Sequence, residues 1–325
     1  MALVLKTNVG ESSPRVRISP SPPKNVCCII ILMKHKTTLT ILTVCIFLFS
    51  LFVTITSISS NNSNGIYHYR SLHNQTVTLY GKGVYQNMTK GDALQALGQD
   101  YVTLFVGIPL LLFSLYLTRK GLLKGKLIFA GTLGYILVVY FYNLASISYN
   151  ELFLAYLLLT SLSFYAFALV MLSFDLEKLP ACFDTKLKTK FIGGFLILGA
   201  IGTGFGWLPM IIAPLIKGAI PPILEHYTTL VISGFDLSIF LPLSFLSGFL
   251  LIKKTPAGYL LGTMYTIFLA ILMTSITAKL LTEQFAGIDV RMQQMITFPL
   301  INLVAIICTV LILKSVNEAK YKKSA

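Results

Sequence analysis

The chain has 325 residues, of which 55% are hydrophobic and only 12% charged, and its mean hydropathy of +0.77 excludes a soluble globular protein. The net charge of +14 could suggest nucleic acid, but the Lys and Arg residues lie in short segments between apolar runs, so we predict no nucleic-acid partner. The five cysteines form no CxxC pair and no disulfide framework, and we predict no cofactor and no metal site.

Residues 1–37 form a basic N-terminal segment with several prolines and serines, a composition predicted to be disordered. Met33 precedes Lys34-His35-Lys36 and an apolar run, so it is an alternative start. The remainder, residues 38–325, is predicted to form a transmembrane bundle. Its first span, residues 38–58, has the basic flank of a signal peptide but a longer apolar stretch. We favour an uncleaved anchor, with a cleaved signal peptide as the alternative.

Residues 59–96 are the one large polar loop, and we expect them to be extracytoplasmic. Within this loop, residues 77–80 and the pair Val84-Tyr85 flank Gly81-Lys82-Gly83. Residues with high β-propensity on both sides of a glycine-containing turn predict a small β-hairpin.

Seven further apolar runs are long enough to cross a bilayer, so we predict an all-α, polytopic transmembrane helix bundle of eight helices. These runs cover residues 99–118, 127–147, 150–174, 191–215, 227–252, 258–280 and 292–314. With both termini in the cytoplasm, 20 of the 26 Lys and Arg residues lie on the cytoplasmic side. This excess follows the positive-inside rule, which predicts a multi-pass protein with both termini cytoplasmic.

An acidic residue, Asp236, lies inside the apolar stretch of residues 225–252. As a helix this stretch would be about 42 Å long, and Asp236 would lie about 9 Å below the interface if burial begins near Leu230. Ionisable groups at such depth are costly, face the bundle interior and are candidates for function. The alternative is a structural strut, in which neighbouring hydroxyl groups hydrogen-bond the Asp236 carboxyl group.

The same stretch carries a polar stripe and a predicted kink. At about 100° per residue, Glu225, Ser233 and Asp236 fall on one face of a helix. Pro242 removes one backbone hydrogen bond and crowds the preceding turn, which predicts a kink close to Asp236.

The second and sixth spans resemble each other. Gln99-Asp100-Tyr101 aligns with Glu225-His226-Tyr227, and Pro109-Leu110 aligns with Pro242-Leu243 if the sixth span holds seven extra residues. This similarity predicts a 4+4 parallel repeat, with chance similarity of apolar segments as the alternative.

The fifth span is rich in glycine. Gly202 and Gly206 form a GxxxG pair, which predicts close packing against another helix. Trp207 is assigned to the aromatic belt at the membrane surface or to protein packing.

Several short motifs carry a resemblance to a known family. They are Tyr80-Gly81-Lys82-Gly83, Gln99-Asp100, Gly131-Thr132-Leu133-Gly134-Tyr135, Tyr149-Asn150 and the segment 224–230. Together they resemble a family of uncharacterised prokaryotic multi-pass membrane proteins with no assigned activity, over roughly residues 77–265. The resemblance implies a prokaryotic plasma membrane and assigns no site residues.

The candidate site residues are acidic or polar and lie towards the outer ends of the spans: Asp236, Glu225, Asp100, His226 and Ser233. The leading hypothesis is a transporter or ion- or proton-coupled permease that binds a cation, a proton or a small solute at Asp236, with Glu225 and Asp100. The alternative is an enzyme of the outer leaflet, with His226 and Glu225 as an acid-base pair, although a non-enzyme is favoured. A third hypothesis is a sensory or assembly module that uses the 59–96 loop. The lipid bilayer is a predicted partner, and no oligomeric state is predicted.

Overall fold

The computed structural model describes residues 24–60 and 65–324, with the side chains of residues 37–60 and 65–322. Within this part of the chain, eight helices are long and apolar enough to cross a membrane. The predicted all-α, polytopic helix bundle is therefore confirmed. Of the segment predicted to be disordered, residues 1–23 lie outside the described residues, and the first helix begins at Lys24 instead of near residue 38.

The eight long helices are α1 (Lys24–Ser59, with its apolar part at Thr37–Ser59), α2 (Lys90–Arg119), α3 (Leu123–Ser146), α4 (Phe153–Leu172), α5 (Thr189–Ile216), α6 (Val231–Ile252), α7 (Pro256–Phe285) and α8 (Met292–Ser315). A short helix, α9 (Glu318–Ser324), follows. Helices α2 and α7 are each preceded by a capping threonine. The hydroxyl oxygens of Thr89 and Thr255 accept a hydrogen bond from the backbone N–H of Asp92 and Gly258, respectively.

The loop between α1 and α2 contains a hairpin of β1 (Tyr67–Arg70) and β2 (Thr76–Leu79), which pair antiparallel with Tyr67 opposite Leu79. The predicted hairpin partner is wrong, because Val84 and Tyr85 belong to the 3-10 turn Gly83–Tyr85. The Tyr85 side chain is buried in the bundle, which an exposed hairpin strand would not allow. We call the end of the bundle that carries β1 and β2 the hairpin end, and the opposite end the basic end.

Helices α3 and α7 form the centre of the bundle. They pack against each other, α2 packs on both of them, α4 packs on α3, and α6 and α8 pack on α7. Helix α5 packs mainly on α6, and α1 packs on α2 and α4. The most enclosed large side chains include Phe129, Tyr135 and Tyr140 of α3, so this helix lies against protein on most of its faces.

Two helices contain a π-helical turn close to a proline. The turns are Thr103–Gly107 in α2 and Asp236–Phe240 in α6, and each ends two residues before Pro109 or Pro242. Proline has no N–H and its ring crowds the preceding turn, so the backbone widens there and bonds to the fifth residue before it. The structure thus has an irregular turn where the sequence predicts a kink. The shared offset adds a structural feature to the predicted repeat, in which Asp236 lies inside the insertion of the sixth span.

Glycine permits close packing at positions other than the predicted GxxxG pair. A Cβ added to Gly202 or Gly206 would meet no atom within 4 Å among the described residues, so the predicted packing of this pair within the chain is wrong. Instead α5 and α6 touch at Gly193 and Gly248, where an added Cβ would lie 2.5 Å from the carbonyl oxygen of the other glycine. Gly98 likewise permits close contact between α2 and α7, because a Cβ added to Gly98 would lie 2.8 Å from the Cα of Lys279.

The C-terminal segment closes the basic end by capping α3. Both carboxylate oxygens of Glu318 accept a hydrogen bond from α3 backbone, at 2.8 Å from the nitrogens of Leu123 and Lys124. The residue before α3, Leu122, has no side chain that can cap the helix. Glu318 therefore supplies a negative charge and two acceptors where the helix dipole is positive.

We expect Gly98→Ala to lower the free energy of unfolding by about 1–3 kcal/mol, because the new methyl group meets the backbone of α7 and the two helices must separate. Equilibrium unfolding in mixed micelles of mild detergent and dodecyl sulfate measures this change. The matched control is Gly202→Ala, where the space is open and no loss is expected. Equal stability of the two variants would contradict the observed packing.

We expect Glu318→Gln to lower the free energy of unfolding by about 1–2 kcal/mol, because an amide has one acceptor oxygen and no charge for the end of α3. The same unfolding measurement applies. Glu177→Gln is the control, since Glu177 is exposed and caps no helix. A loss of similar size in both variants would show that net charge, and not capping, is responsible.

Candidate functional site

The carboxylate of Asp236 joins three helices. Its Oδ1 accepts a hydrogen bond from the Tyr142 hydroxyl of α3 at 2.7 Å, and its Oδ2 accepts one from the Trp207 indole N–H of α5 at 2.9 Å. Each carboxylate oxygen has two lone pairs, so one acceptor position on each remains free of these bonds. The residue is only partly buried. Asp236 therefore acts as a strut and also keeps acceptor capacity for a ligand.

Aromatic rings surround this carboxylate. The Phe235 ring lies 4.7 Å from that of Phe141, and the Tyr142 ring lies 5.7 Å from that of Phe240, measured between centroids. Such a surrounding lowers the local dielectric constant and strengthens every electrostatic interaction of the carboxylate. Trp207 is the partner that sequence reasoning missed, since nothing in its local sequence distinguishes a hydrogen-bond donor from a belt residue.

Ser233, one turn before Asp236 on α6, is buried. Its hydroxyl donates to the carbonyl oxygen of Leu230 at 3.3 Å, within the same chain segment. It shares a face of α6 with Asp236, as predicted, but the described residues show no hydrogen bond between the two.

Asp100 lies on α2 and is 1% exposed. Its Oδ2 accepts a hydrogen bond of 2.6 Å from the hydroxyl of Tyr85, which is also 3.3 Å from the hydroxyl of Ser57 on α1. Burial and the neighbouring Asp100 carboxylate raise the pKa of Tyr85, so this hydroxyl keeps its proton and donates. Tyr85 is a second partner that the sequence did not indicate.

Lys279 of α7 lies near both acidic positions. Four acidic residues are its charged neighbours: Asp92, Asp100, Asp236 and Glu283. Among the described residues, none of these carboxylates is within 4.0 Å of its nitrogen. In the sequence, Lys279 lies at the end of the predicted span 258–280 and is not among the candidate site residues. The helix continues past residue 280 through Thr282, Glu283 and Gln284 to Phe285. These helix-compatible polar residues are the sequence feature from which the longer helix could have been predicted.

Glu225 does not lie on α6, so the predicted stripe is wrong at this position. It occupies the second position of a turn closed by a 2.9 Å bond from the Tyr227 N–H to the Leu224 carbonyl oxygen, with φ 51° and ψ −114°. These angles are those of a type II′ turn, in which glycine is preferred. Pro221 and Pro222 precede the turn, and α6 begins only at Val231. Burial and the carboxylate of Asp92 raise the pKa of Glu225.

His226 packs against the hairpin end. Its Nε2 lies 3.1 Å from the carbonyl oxygen of Asn87, and its ring contacts Tyr69 and Tyr227. Burial lowers the pKa of His226, which favours the neutral ring. A carbonyl oxygen only accepts, so Nε2 carries the proton in that form. The described residues contain no hydrogen bond between His226 and Glu225, and none from either residue to Asp236.

The five predicted residues thus fall into separate groups. Asp236 and Ser233 share α6, Asp100 lies on α2, and Glu225 and His226 belong to the turn at the hairpin end. No cluster of three His, Cys, Asp or Glu side chains suited to a metal ion occurs among the described residues.

The fold and these charged positions define the class, which is that of a multi-pass integral membrane protein with ionisable side chains inside its helix bundle. No protein-family model, no curated protein and no solved structure matches this chain. The family resemblance of the motifs therefore stays a prediction.

We expect Glu225→Gly to be more stable than Glu225→Ala by about 1 kcal/mol, because glycine adopts positive φ without strain and alanine does not. The free energy of unfolding measures the difference. The control is Gln284→Gly against Gln284→Ala on exposed α7 surface, where the order should reverse because alanine favours a helix. The same order at both positions would contradict the turn at Glu225.

Proposed function

We propose that the protein is a cation- or proton-coupled permease whose coupling site contains Asp236, Asp100 and Lys279. The observation that carries this proposal is that two carboxyl groups inside the bundle accept hydrogen bonds from other elements, Asp236 from Tyr142 and Trp207 and Asp100 from Tyr85. Lys279 lies near both of them on a third helix, α7. Charged side chains inside a bundle generally mark ion or proton pathways.

The charges of this site do not balance. When all three groups are ionised, two carboxylates and one ammonium group leave one negative charge inside an apolar bundle, where a charged residue costs about 2.5–3.5 kcal/mol at the centre of a helix. A bound monovalent cation or a proton removes that charge. Because either can dissociate, the same site can couple an ion gradient to the movement of a solute.

The two π turns support the proposal, because they lie in the two helices that carry the carboxylates. Thr103–Gly107 precedes Pro109 in α2, and Asp236–Phe240 precedes Pro242 in α6, so both helices that carry a carboxylate are irregular nearby. Transporters commonly bind their ligands at interrupted helices between structural repeats. If α1–α4 and α5–α8 are the two halves of a parallel repeat, Asp236 lies between them, since Tyr142 belongs to the first half and Trp207 to the second.

The distribution of basic residues supports an orientation. Arg119, Lys120, Lys253 and Lys254 lie at the basic end, together with α9. By the positive-inside rule we infer that this end faces the cytoplasm and that the hairpin end lies outside. Asp92, Glu225 and Glu283 lie near one another on the hairpin side, where their charge would attract cations from outside.

The enzyme hypothesis has less support. The proton-bearing nitrogen of His226 is engaged with the Asn87 carbonyl oxygen, and the described residues show no hydrogen bond between His226 and Glu225. The hypothesis of an assembly module gains no observation from the hairpin, which packs on its own chain through His73 and Tyr227.

We expect Asp236→Asn to slow ion movement at least about tenfold, which corresponds to about 1.4 kcal/mol, because the amide keeps the shape of the side chain but not its charge. The measurement uses proteoliposomes that enclose a pH-sensitive dye. Proton, Na⁺ and K⁺ gradients are imposed in turn, and the rate of dye response is compared with that of protein-free vesicles.

Asp289→Asn is the matched control, since Asp289 is an exposed carboxylate in the loop between α7 and α8 and should leave the rate unchanged. Wild-type vesicles that are as tight as protein-free vesicles to every gradient would contradict the proposal. So would an Asp236→Asn variant that moves ions at the wild-type rate.

A further inference from the structure

A second polar cluster, buried within the first four helices, surrounds Asp100. We call it the Asp100 cluster, and its members are Ser50, Ser57, Tyr85, Asp100, Tyr140 and Tyr156. None of these residues is more than 2% exposed. They come from α1, α2, α3, α4 and the loop before α2, so the cluster exists only in the folded bundle.

Three hydroxyl groups of this cluster have no hydrogen-bond partner among the described residues: those of Ser50, Tyr140 and Tyr156. The Ser50 hydroxyl lies close to that of Tyr140, and the Tyr156 hydroxyl lies close to the Asn150 side chain and to the hydroxyls of Ser57 and Tyr85, but these contacts lack hydrogen-bond geometry. Unsatisfied buried polar groups are rare in folded proteins. Three unpartnered hydroxyls in the cluster of one carboxyl group indicate a ligand that their oxygens bind jointly.

The carboxyl group of Asp100 is the centre of this group. The Tyr85 hydroxyl donates to it at 2.6 Å, and the rings of Tyr140 and Tyr156 stack with their centroids 6.4 Å apart. Among the described residues, Asp100 has no ion pair within 4.0 Å. Its carboxyl group is therefore without a close positive partner.

We propose that the Asp100 cluster binds one dehydrated Na⁺ ion. Carboxylate and hydroxyl oxygens are hard ligands suited to a hard cation, and the cluster contains no sulfur or imidazole ligand. A single carboxylate balances one positive charge, whereas Ca²⁺ sites gather several carboxylates. With Na⁺ at Asp100, the charge of Lys279 is left to balance Asp236.

Tyr85 is the member of the cluster that lies in a loop, on the 3-10 turn Gly83–Tyr85 at the hairpin end. Its hydroxyl bonds directly to Asp100, so ion entry from this end requires Tyr85 to move while the helices keep their places. Na⁺ binding at this position is independent of transport. Only the statement that Na⁺ is the coupling ion rests on the function proposed above.

The test is thermal unfolding of the purified full chain in detergent, in NaCl, KCl or N-methyl-D-glucamine chloride at equal ionic strength. We expect Na⁺ at saturation to raise the Tm of the wild type by about 5 °C relative to N-methyl-D-glucamine, because a ligand stabilises the folded state that binds it. K⁺ should have little effect. The Na⁺ shift should disappear in Asp100→Asn and persist in Asp289→Asn.

Tyr140→Phe keeps the test decisive if Asp100→Asn does not fold. This change removes one unpartnered hydroxyl and keeps the ring that stacks on Tyr156. The Na⁺ concentration at half of the Tm shift should rise at least tenfold. Equal Tm values in all three salts, or a Na⁺ shift that is unchanged in Asp100→Asn or Tyr140→Phe, would overturn the proposal.

Asp236→Asn separates this proposal from the previous one. It should lose ion movement in vesicles and keep the Na⁺ shift in detergent, because Asp236 is not a member of the cluster. A wild type that binds Na⁺ but moves no ion would overturn the permease and leave the binding site standing. A wild type that moves protons but shows no Na⁺ shift would do the reverse.

Discussion

Inside a bilayer, every backbone N–H and C=O group must find its partner within the protein, and this constraint determines most of the structure. It explains why the described membrane segments are helices and why β-structure is confined to the loop between α1 and α2. It also makes the two departures informative. In α2 and α6 a proline removes one N–H, the backbone widens into a π turn, and a carboxylate lies at or just before that turn.

The same scarcity of partners governs the charged side chains. Asp236 is held by two donors from α3 and α5, whereas Asp100 accepts one short hydrogen bond from Tyr85, in a cluster where three hydroxyls have no partner among the described residues. Lys279 lies near both carboxylates but forms no ion pair with either among the described residues. The acceptor capacity that these bonds leave open is the basis of the proposed ion sites.

The two carboxylates differ in their position within the bundle. Asp100 is enclosed by α1–α4 and by Tyr85, while Asp236 connects α3 to α5 and α6. If the halves are repeats, Asp236 lies in the insertion of the sixth span and has no counterpart in α2, although both halves keep an irregular backbone before a proline.

The sequence alone determined the features that depend on composition and local chemistry. Apolar length defined the eight spans, Pro242 indicated the irregular turn, and the depth of Asp236 marked it as unusual. Tertiary structure decided what depends on distant residues, including the hairpin partner of β2, the displacement of Glu225 from α6, and the place of Lys279 among four carboxylates. Trp207 and Tyr85 became partners of carboxylates only through packing, because a hydrogen bond between residues 15 or 29 positions apart leaves no periodic trace in the chain.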